Sequence, residues 1–474
     1  LLIKEIQTAI IDFRFWVVMV LCLCIIPLSF YVSVKNYAQR VSDYQQEVQT
    51  YQQQSEGQIS AHFNAEGIHP PSPLSIFSQG LGNSMPYKVV TTRGESYKIE
   101  YVQPDYKQDL MGKIDFAYIV VMVLSILALV FTFNAISGDK ENGIFRAILS
   151  NPVLRRQILL SKLIGNYIVF SIPFLISIFV ALLIVYASGI VPIFSAQLFP
   201  SVLAMIGISM LFLFALFNLG LWMSAFTRSS TLSINVLLLI WIVISLVIPK
   251  VSPIISEVIY PVESSNVFEA KRKAIKENFT REMEAEESKV GDEIDKKYHA
   301  LDQINNWEAK QEEFDEQVTP IREKYGQLIV SEIGKITTDY NLRRDKQNRI
   351  SKTISNLSII NSANKLLAEF SATGVAEAEN FIKQAKQFHE TVEQSIYNNY
   401  NIKTYRTTRT TNNSYIKKEG FDPSKVQTPT MDNYKHVSLS ETFQQNWSDI
   451  MLLGFYCLLF FVAAFVCFIR FDVR

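Results

Sequence analysis

The sequence predicts a mostly α-helical polytopic membrane protein. It has six transmembrane helices and a largely helical extracytoplasmic domain, with some β-structure, built from two insertions. Three observations predict it. Stretches 15–34, 116–136, 163–187, 197–226, 232–249 and 449–469 each approach or exceed the ~20 apolar residues that cross a hydrocarbon core as a helix. They contain no Lys, Arg, Asp or Glu except Asp449 at the edge of the last. In lipid the backbone must satisfy its own hydrogen bonds, so such runs are helices. Polar sequence is gathered into two long blocks, 35–114 and 250–447.

This patterning divides the chain into 1–34 (an interfacial helix and the first span), 35–114 (first insertion) and 115–249 (spans two to five, with a loop at 137–162). Residues 250–447 form the second insertion, and 448–474 the sixth span and a tail. In 1–14, Leu2, Ile3, Ile6, Ile10 and Phe13 follow a helical period with charges between them. That pattern favours a helix lying in the membrane interface over a plain extension of the first span. The first span runs into YVSVKNYAQR with no small-residue cleavage site, so it reads as a retained helix rather than a signal peptide.

Within the first insertion, 35–63 reads as helical, 69–86 as turn-rich, and 87–103 as a hairpin around Arg93-Gly94. In the second, Phe268, Ile275, Phe279, Met283, Val290, Ile294, Tyr298, Leu301 and Ile304 recur at helical steps, and Ile321, Tyr325, Leu328, Ile329, Ile333, Ile336 and Tyr340 form a second stripe. Thr319-Pro320 reads as a cap followed by proline at the first helical position, which places the junction of an antiparallel hairpin near 315–320. Runs such as REMEAEESK read as solvated faces. A further helix is expected over 375–400, with Phe381, Ile382, Ala385, Phe388, Val392 and Ile396 on one face, and 401–440 reads as irregular or as short strands. The two polar regions are expected to pack into one composite domain.

Basic residues of short loops mark the cytoplasmic side. The 137–162 loop carries Lys140, Arg146, Arg155, Arg156 and Lys162, the turn after span four Arg228, the tail Arg470 and Arg474, and the N-terminal segment Lys4 and Arg14. With six spans all four fall on one side, so both termini are expected in the cytoplasm and both insertions outside it.

Several chemistries find no support. The sequence lacks GxxxxGK[ST], the phosphate loop of a nucleotide-binding domain. His62, His69, His299, His389 and His436 are scattered at no metal-ligand spacing and read as surface or interface residues, so no metal site and no catalytic residue is assigned. Cys22, Cys24, Cys457 and Cys467 lie in the first and last spans, where packing is favoured over metal binding because no histidine accompanies them. Nucleic-acid binding does not suit mixed-charge helices outside the cytoplasm. The spans carry no ionisable group at depth, which argues against ion-coupled transport and places the energy source elsewhere.

The 137–167 segment, SGDKENGIFRAILSNPVLRRQILLSKLIGNY, resembles the coupling loop of type-2 ABC transporter permeases. The matching positions are Lys140-Glu141 with Gly143, a short helix Ile144–Leu149, Ser150 with Pro152, Arg155 and Lys162. The opening LLIKEIQ…DFRF resembles that family's elbow helix, through Lys4, Glu5, Asp12 and Arg14. PSPLSIF (71–77) resembles a segment of the subgroup with large outer insertions, and the tail FIRFDVR also fits.

The resemblance implies a permease subunit with no catalytic site of its own, in the bacterial cytoplasmic (inner) membrane. It would pair with a second copy or a related permease, and would couple to a separate ATP-binding cassette ATPase that holds the ATP and Mg. Ile144, Phe145, Ile148 and Leu149 would supply an apolar knob for the ATPase, with Arg146, Arg155 and Arg156 as charged partners. The bland alternative is an ordinary positive-inside loop. Export of an apolar or amphipathic cargo is the first functional expectation. A mechanotransmitting or scaffold protein, moving an envelope partner through its outer helices, is the second. A membrane-bound enzyme is a weak third.

Overall fold

The computed structural model describes residues 1–55, 64–92, 97–101, 114–143, 154–300, 307–400, 431 and 433–470. Among the described residues six helices are long and apolar enough to cross a membrane, and each coincides with an expected span. The short N-terminal helix is separate: α1 (Leu2–Ile11) stops at Asp12, whose extended backbone (φ −62°, ψ 133°) turns the chain into α2 (Phe13–Ser55). The Asp12 side chain accepts the Arg14 N–H at 3.1 Å, so the break is capped. This resolves the two readings of 1–14 in favour of a distinct helix.

Span one continues as α2 without interruption into the expected polar helix as far as Ser55, and 56–63 lie outside the described residues. Then come strands β1 (Asn64–Ile68), β2 (Pro86–Thr92) and β3 (Lys98–Tyr101), an antiparallel sheet in the order β1-β2-β3. The β2–β3 pairing is that of the expected hairpin, although Arg93-Gly94 lies outside the described residues. The other spans are α3 (Phe116–Glu141), α4 (Arg155–Ser188), α5 (Phe199–Phe226), α6 (Ser230–Ile259) and, last in the chain, α11 (Leu439–Arg470). Between α6 and α11 lie α7 (Ser265–Ala300), α8 (Trp307–Ser355), α9 (Ile359–Phe370) and α10 (Val375–Tyr400).

The chain forms two compact units. One comprises Leu1–Leu246 and Ser358–Arg474, the other Val247–Leu357. The composite domain expected from the two polar regions forms in part: the first insertion packs with α9 and α10, while the α7–α8 hairpin falls in the other unit. The sheet and α10 share the first unit, and the α7–α8 hairpin shares the second with the C-terminal end of α6, residues 247–259.

In the first unit the spans pack around buried phenylalanines, including Phe30, Phe116, Phe170, Phe174, Phe212 and Phe217. Close approach of α3 and α5 depends on Gly220, where a Cβ would lie 1.9 Å from Thr132 Oγ1. Cys22 and Cys457 are buried among apolar neighbours, and all four cysteines are free thiols. Helix α9, unforeseen in the sequence, buries Ile359, Ile360, Ala363, Leu366, Leu367 and Phe370 against α5 and α11. Its Lys365 forms an ion pair with Asp449, the one acidic residue in the six apolar stretches.

The PSPLSIF segment docks here too. Phe77 meets Phe30 edge-on at 4.8 Å, and Ser72 Oγ donates to Ser371 O at 2.8 Å, tying the first insertion to the α9–α10 link. A smaller core joins Ala65 and Val89 of the sheet to Phe381, Ala385, Phe388 and Val392 of α10.

In the second unit α7 and α8 run antiparallel. Arg322 pairs with Glu287 at 2.8 Å, Lys297 with Glu313 at 2.7 Å, and Phe268 stacks on Tyr340 with centroids 4.1 Å apart. The junction falls between Ala300 and Trp307, not near 315–320. Pro320 sits inside α8, and the Thr319 hydroxyl bonds back to Asp315 O at 2.6 Å instead of capping a new helix. The apolar stripe explains this. Val318 and Tyr325 are both buried, so an unbroken helix keeps both on the packed face, and that burial offsets the one hydrogen bond lost at proline.

Candidate functional site

One end of the helix bundle collects the four basic segments that the sequence places on a common side. The last turn of α3, Ser137–Glu141, carries the first two predicted coupling residues. Lys140 Nζ donates to the carbonyls of Thr227 at 3.0 Å, Ser224 at 3.5 Å and Ala225, at the C-terminal end of α5. Those carbonyls have no partner within their own helix and carry the negative end of its dipole, so a lysine is the matching group. Glu141 does the converse. Its Oε2 accepts the Ser230 N–H at 3.0 Å, at the positive N-terminus of α6. Adjacent residues thus fasten the turn between spans four and five from both sides. Gly143 follows in the left-handed conformation (φ +69°), which glycine adopts without a Cβ penalty, and its N–H closes the turn on Lys140 O.

Across the same end, Lys162 of α4 is 7% exposed and joins Asp139 at 2.8 Å and Glu5 of α1 at 3.5 Å. Gly165, one turn on, is the seat of α1: a Cβ there would stand 3.0 Å from Glu5 Cβ. Arg14 donates from Nη1 to Asn134 Oδ1 at 2.5 Å and lies over the Phe133 ring at 4.7 Å. Arg155 donates from Nη1 to Ile469 O at 2.7 Å, near the end of α11.

Of the predicted residues, Glu5, Arg14, Lys140, Glu141 and Arg155 therefore meet on this face. Lys4 and Arg156 are exposed on α1 and on the first turn of α4. Ile144, Phe145, Arg146, Ile148, Leu149 and Pro152, the centre of the expected coupling helix, lie outside the described residues. Sequence reasoning missed Asn134 and Gly165. Only a helix of known register shows that either faces α1 or Arg14.

A second cluster joins His69 and His436, read from the sequence as surface or interface residues, to Glu377, which the sequence did not single out. His69, just after β1, Glu377 in the first turn of α10 and His436, just before α11, converge, with their ligand-capable atoms within 4.8 Å of one another. Burial alone would raise the Glu377 carboxyl. Hydrogen bonds from His436, His69 and the Val437 N–H outweigh it and hold the group at about 2. Burial pushes His69 below the ordinary imidazole value, against the opposing pull of Glu377. No sequence spacing links residues so far apart in the chain.

Comparison with known proteins agrees with the architecture. The family model described as ABC-2 family transporter protein matches residues 1–473. No curated protein matches the chain. With six apolar spans and a family match running almost end to end, this chain belongs to the ABC-2 family of transporter membrane proteins, the type-2 ABC permeases.

Proposed function

We propose that the chain is the permease subunit of an ABC exporter, driven by a separate ATPase that docks on the 137–162 loop. Family membership implies the ATPase partner and the membrane setting. The observation that carries the reading is the fastening of both ends of that loop. Lys140 and Glu141 hold its entry to spans four and five, and Arg155 holds its exit to the end of span six. Lys162 links it to α1. A displacement of residues 144–153 would pass through the chain to spans two and three, and through these contacts to the others.

In this reading Ile144, Phe145, Ile148 and Leu149 form the knob in the ATPase cleft, and Arg146, Arg155 and Arg156 face its carboxylates. ATP and Mg belong to the partner, and this chain performs no catalysis. Two permease copies, or this chain and a relative, complete the transporter in the bacterial inner membrane. Both termini are cytoplasmic and the insertions 35–114 and 250–447 are extracytoplasmic. Uncharged spans favour an apolar or amphipathic cargo.

Replacing Phe145 and Ile148 with Asp in the full chain should abolish co-purification of the ATPase while the protein remains membrane-inserted. Undiminished co-purification overturns the coupling assignment. Cysteines introduced at Ala300 and Ile350 should label from outside intact cells, and labelling only after permeabilisation inverts the topology.

One observation favours a second reading. Helices α7 and α8 contain 36 and 49 residues, about 54 and 74 Å at 1.5 Å per residue, in a compact unit with the end of α6. A lever of that length suits transmission of motion to an envelope protein. Cargo-stimulated ATPase activity with uptake into vesicles separates export from that alternative.

A further inference from the structure

We propose that His69, Glu377 and His436 form a binding site for one divalent transition-metal ion, of which zinc is the representative. The donor set is two imidazole nitrogens and one carboxylate: His69 Nε2, His436 Nδ1 and a Glu377 oxygen. Two histidines with one glutamate is a familiar three-ligand set for zinc, and imidazole suits the borderline first-row ions. Calcium and magnesium take all-oxygen shells instead.

The geometry is near what an ion requires. Glu377 Oε1 lies 3.4 Å from His69 Nε2 and 2.6 Å from His436 Nδ1. Tetrahedral bonds of ~2.0–2.1 Å separate neighbouring ligand atoms by a little over 3 Å, and the three atoms here lie within 4.8 Å of one another, so His436 has to move off Glu377 and the two imidazoles have to close on the ion. His436 is the most exposed of the three, its side chain 29% accessible against 8% for His69 and 1% for Glu377. It forms the entrance and the other two the floor.

The surroundings support ligation. Tyr434 Oη donates to Glu377 Oε1 at 2.7 Å and lies 3.1 Å from His69 Nε2. The Val437 N–H donates to Glu377 Oε2 at 2.9 Å. These bonds orient the carboxylate as outer-shell partners do in metal sites. The fully buried Phe381 meets the His69 ring edge-on at 5.0 Å and closes the inner side. Each ligand comes from a different part of the first unit: the end of the sheet, the start of α10, and the strap that leads into the last span. Each imidazole coordinates through a lone pair, so as the ion enters, an N–H proton directed at Glu377 moves to the other nitrogen of its own ring or, from an imidazolium, leaves to solvent. Bound metal then crosslinks the sheet and α10 to the top of α11.

The test uses the full chain in detergent, stripped with a chelator and titrated first with cobalt and then with zinc. The expected result is one cobalt per chain, with the visible absorption of a low-coordinate ion that zinc displaces and magnesium does not. His69→Gln combined with His436→Gln should remove that equivalent, and Tyr434→Phe should weaken it by about 10- to 100-fold, as loss of an outer-shell partner does. Wild-type chain that takes up no more metal than the double variant, or that shows no cobalt band, overturns the proposal and leaves a hydrogen-bonded clamp. The cobalt spectrum of the wild type decides the matter even if the double variant fails to fold.

Discussion

The basic end of the bundle and the α7–α8 hairpin both use ion pairs, and they use them differently. At the bundle end Lys162 has a side chain only 9% accessible and serves two carboxylates. Along the hairpin Lys297 is 53% accessible opposite Glu313, and Arg322 is 53% accessible opposite Glu287. Water and salt reach the second kind and largely cancel its attraction, whereas a buried charge that loses its partner has no such relief. The difference teaches what each region depends on. The hairpin is held by its apolar stripe and uses charge to set register. The bundle end uses a few charges as fasteners that cannot be dropped singly.

One substitution and two double-mutant cycles probe that contrast. Lys162→Met should have the largest effect, a loss of about 3 kcal/mol, because it strands Asp139 and Glu5. It is read as a lower apparent unfolding temperature in detergent and as faster labelling of an Ala9→Cys reporter on the buried face of α1. A change near zero would mean that water already serves those carboxylates. In the hairpin, a double-mutant cycle on Phe268 and Tyr340 should give a coupling of about 0.5–1.5 kcal/mol beyond area burial, as stacked aromatics do. The same cycle on Lys297 and Glu313 should give under about 1 kcal/mol and fade as salt is raised. An ionic coupling larger than the aromatic one would break the comparison.

How much of this was legible follows from what kind of force writes each feature. Lipid imposes a long uncharged run on every span, so the six spans stand out in the sequence. The stripes of α7 and α8 were legible for a different reason, the helical period at which Phe268, Ile294, Tyr298, Tyr325 and Tyr340 repeat and are buried. The junction was misread because Thr-Pro is a local signal, and tertiary burial of Val318 overrode it. Helix α9 was readable after all: Ser358 caps it by accepting the Asn361 N–H, and its apolar residues keep the period. At the basic end of the bundle, Lys140 and Glu141 were both named from the sequence, but that they cap two different helices depends on where α5 ends and α6 begins. The cluster of His69, Glu377 and His436 left no trace in spacing, because the fold alone brings it together.

The π-helical stretch at Ile119–Leu124 in α3 has a consequence for how the chain can change length. A π turn is one residue wound into an α-helix, and each residue turns the helix by about 100°. The stretch therefore sets the phase between Phe116, which meets Phe30, Phe77 and Phe174, and Thr132, which fits against Gly220. Deleting one of these six residues would leave a more regular helix, equally apolar and still able to span, with one of its two ends facing the wrong neighbours. Span two is thus a place where a one-residue deletion is invisible to hydropathy and costly to packing.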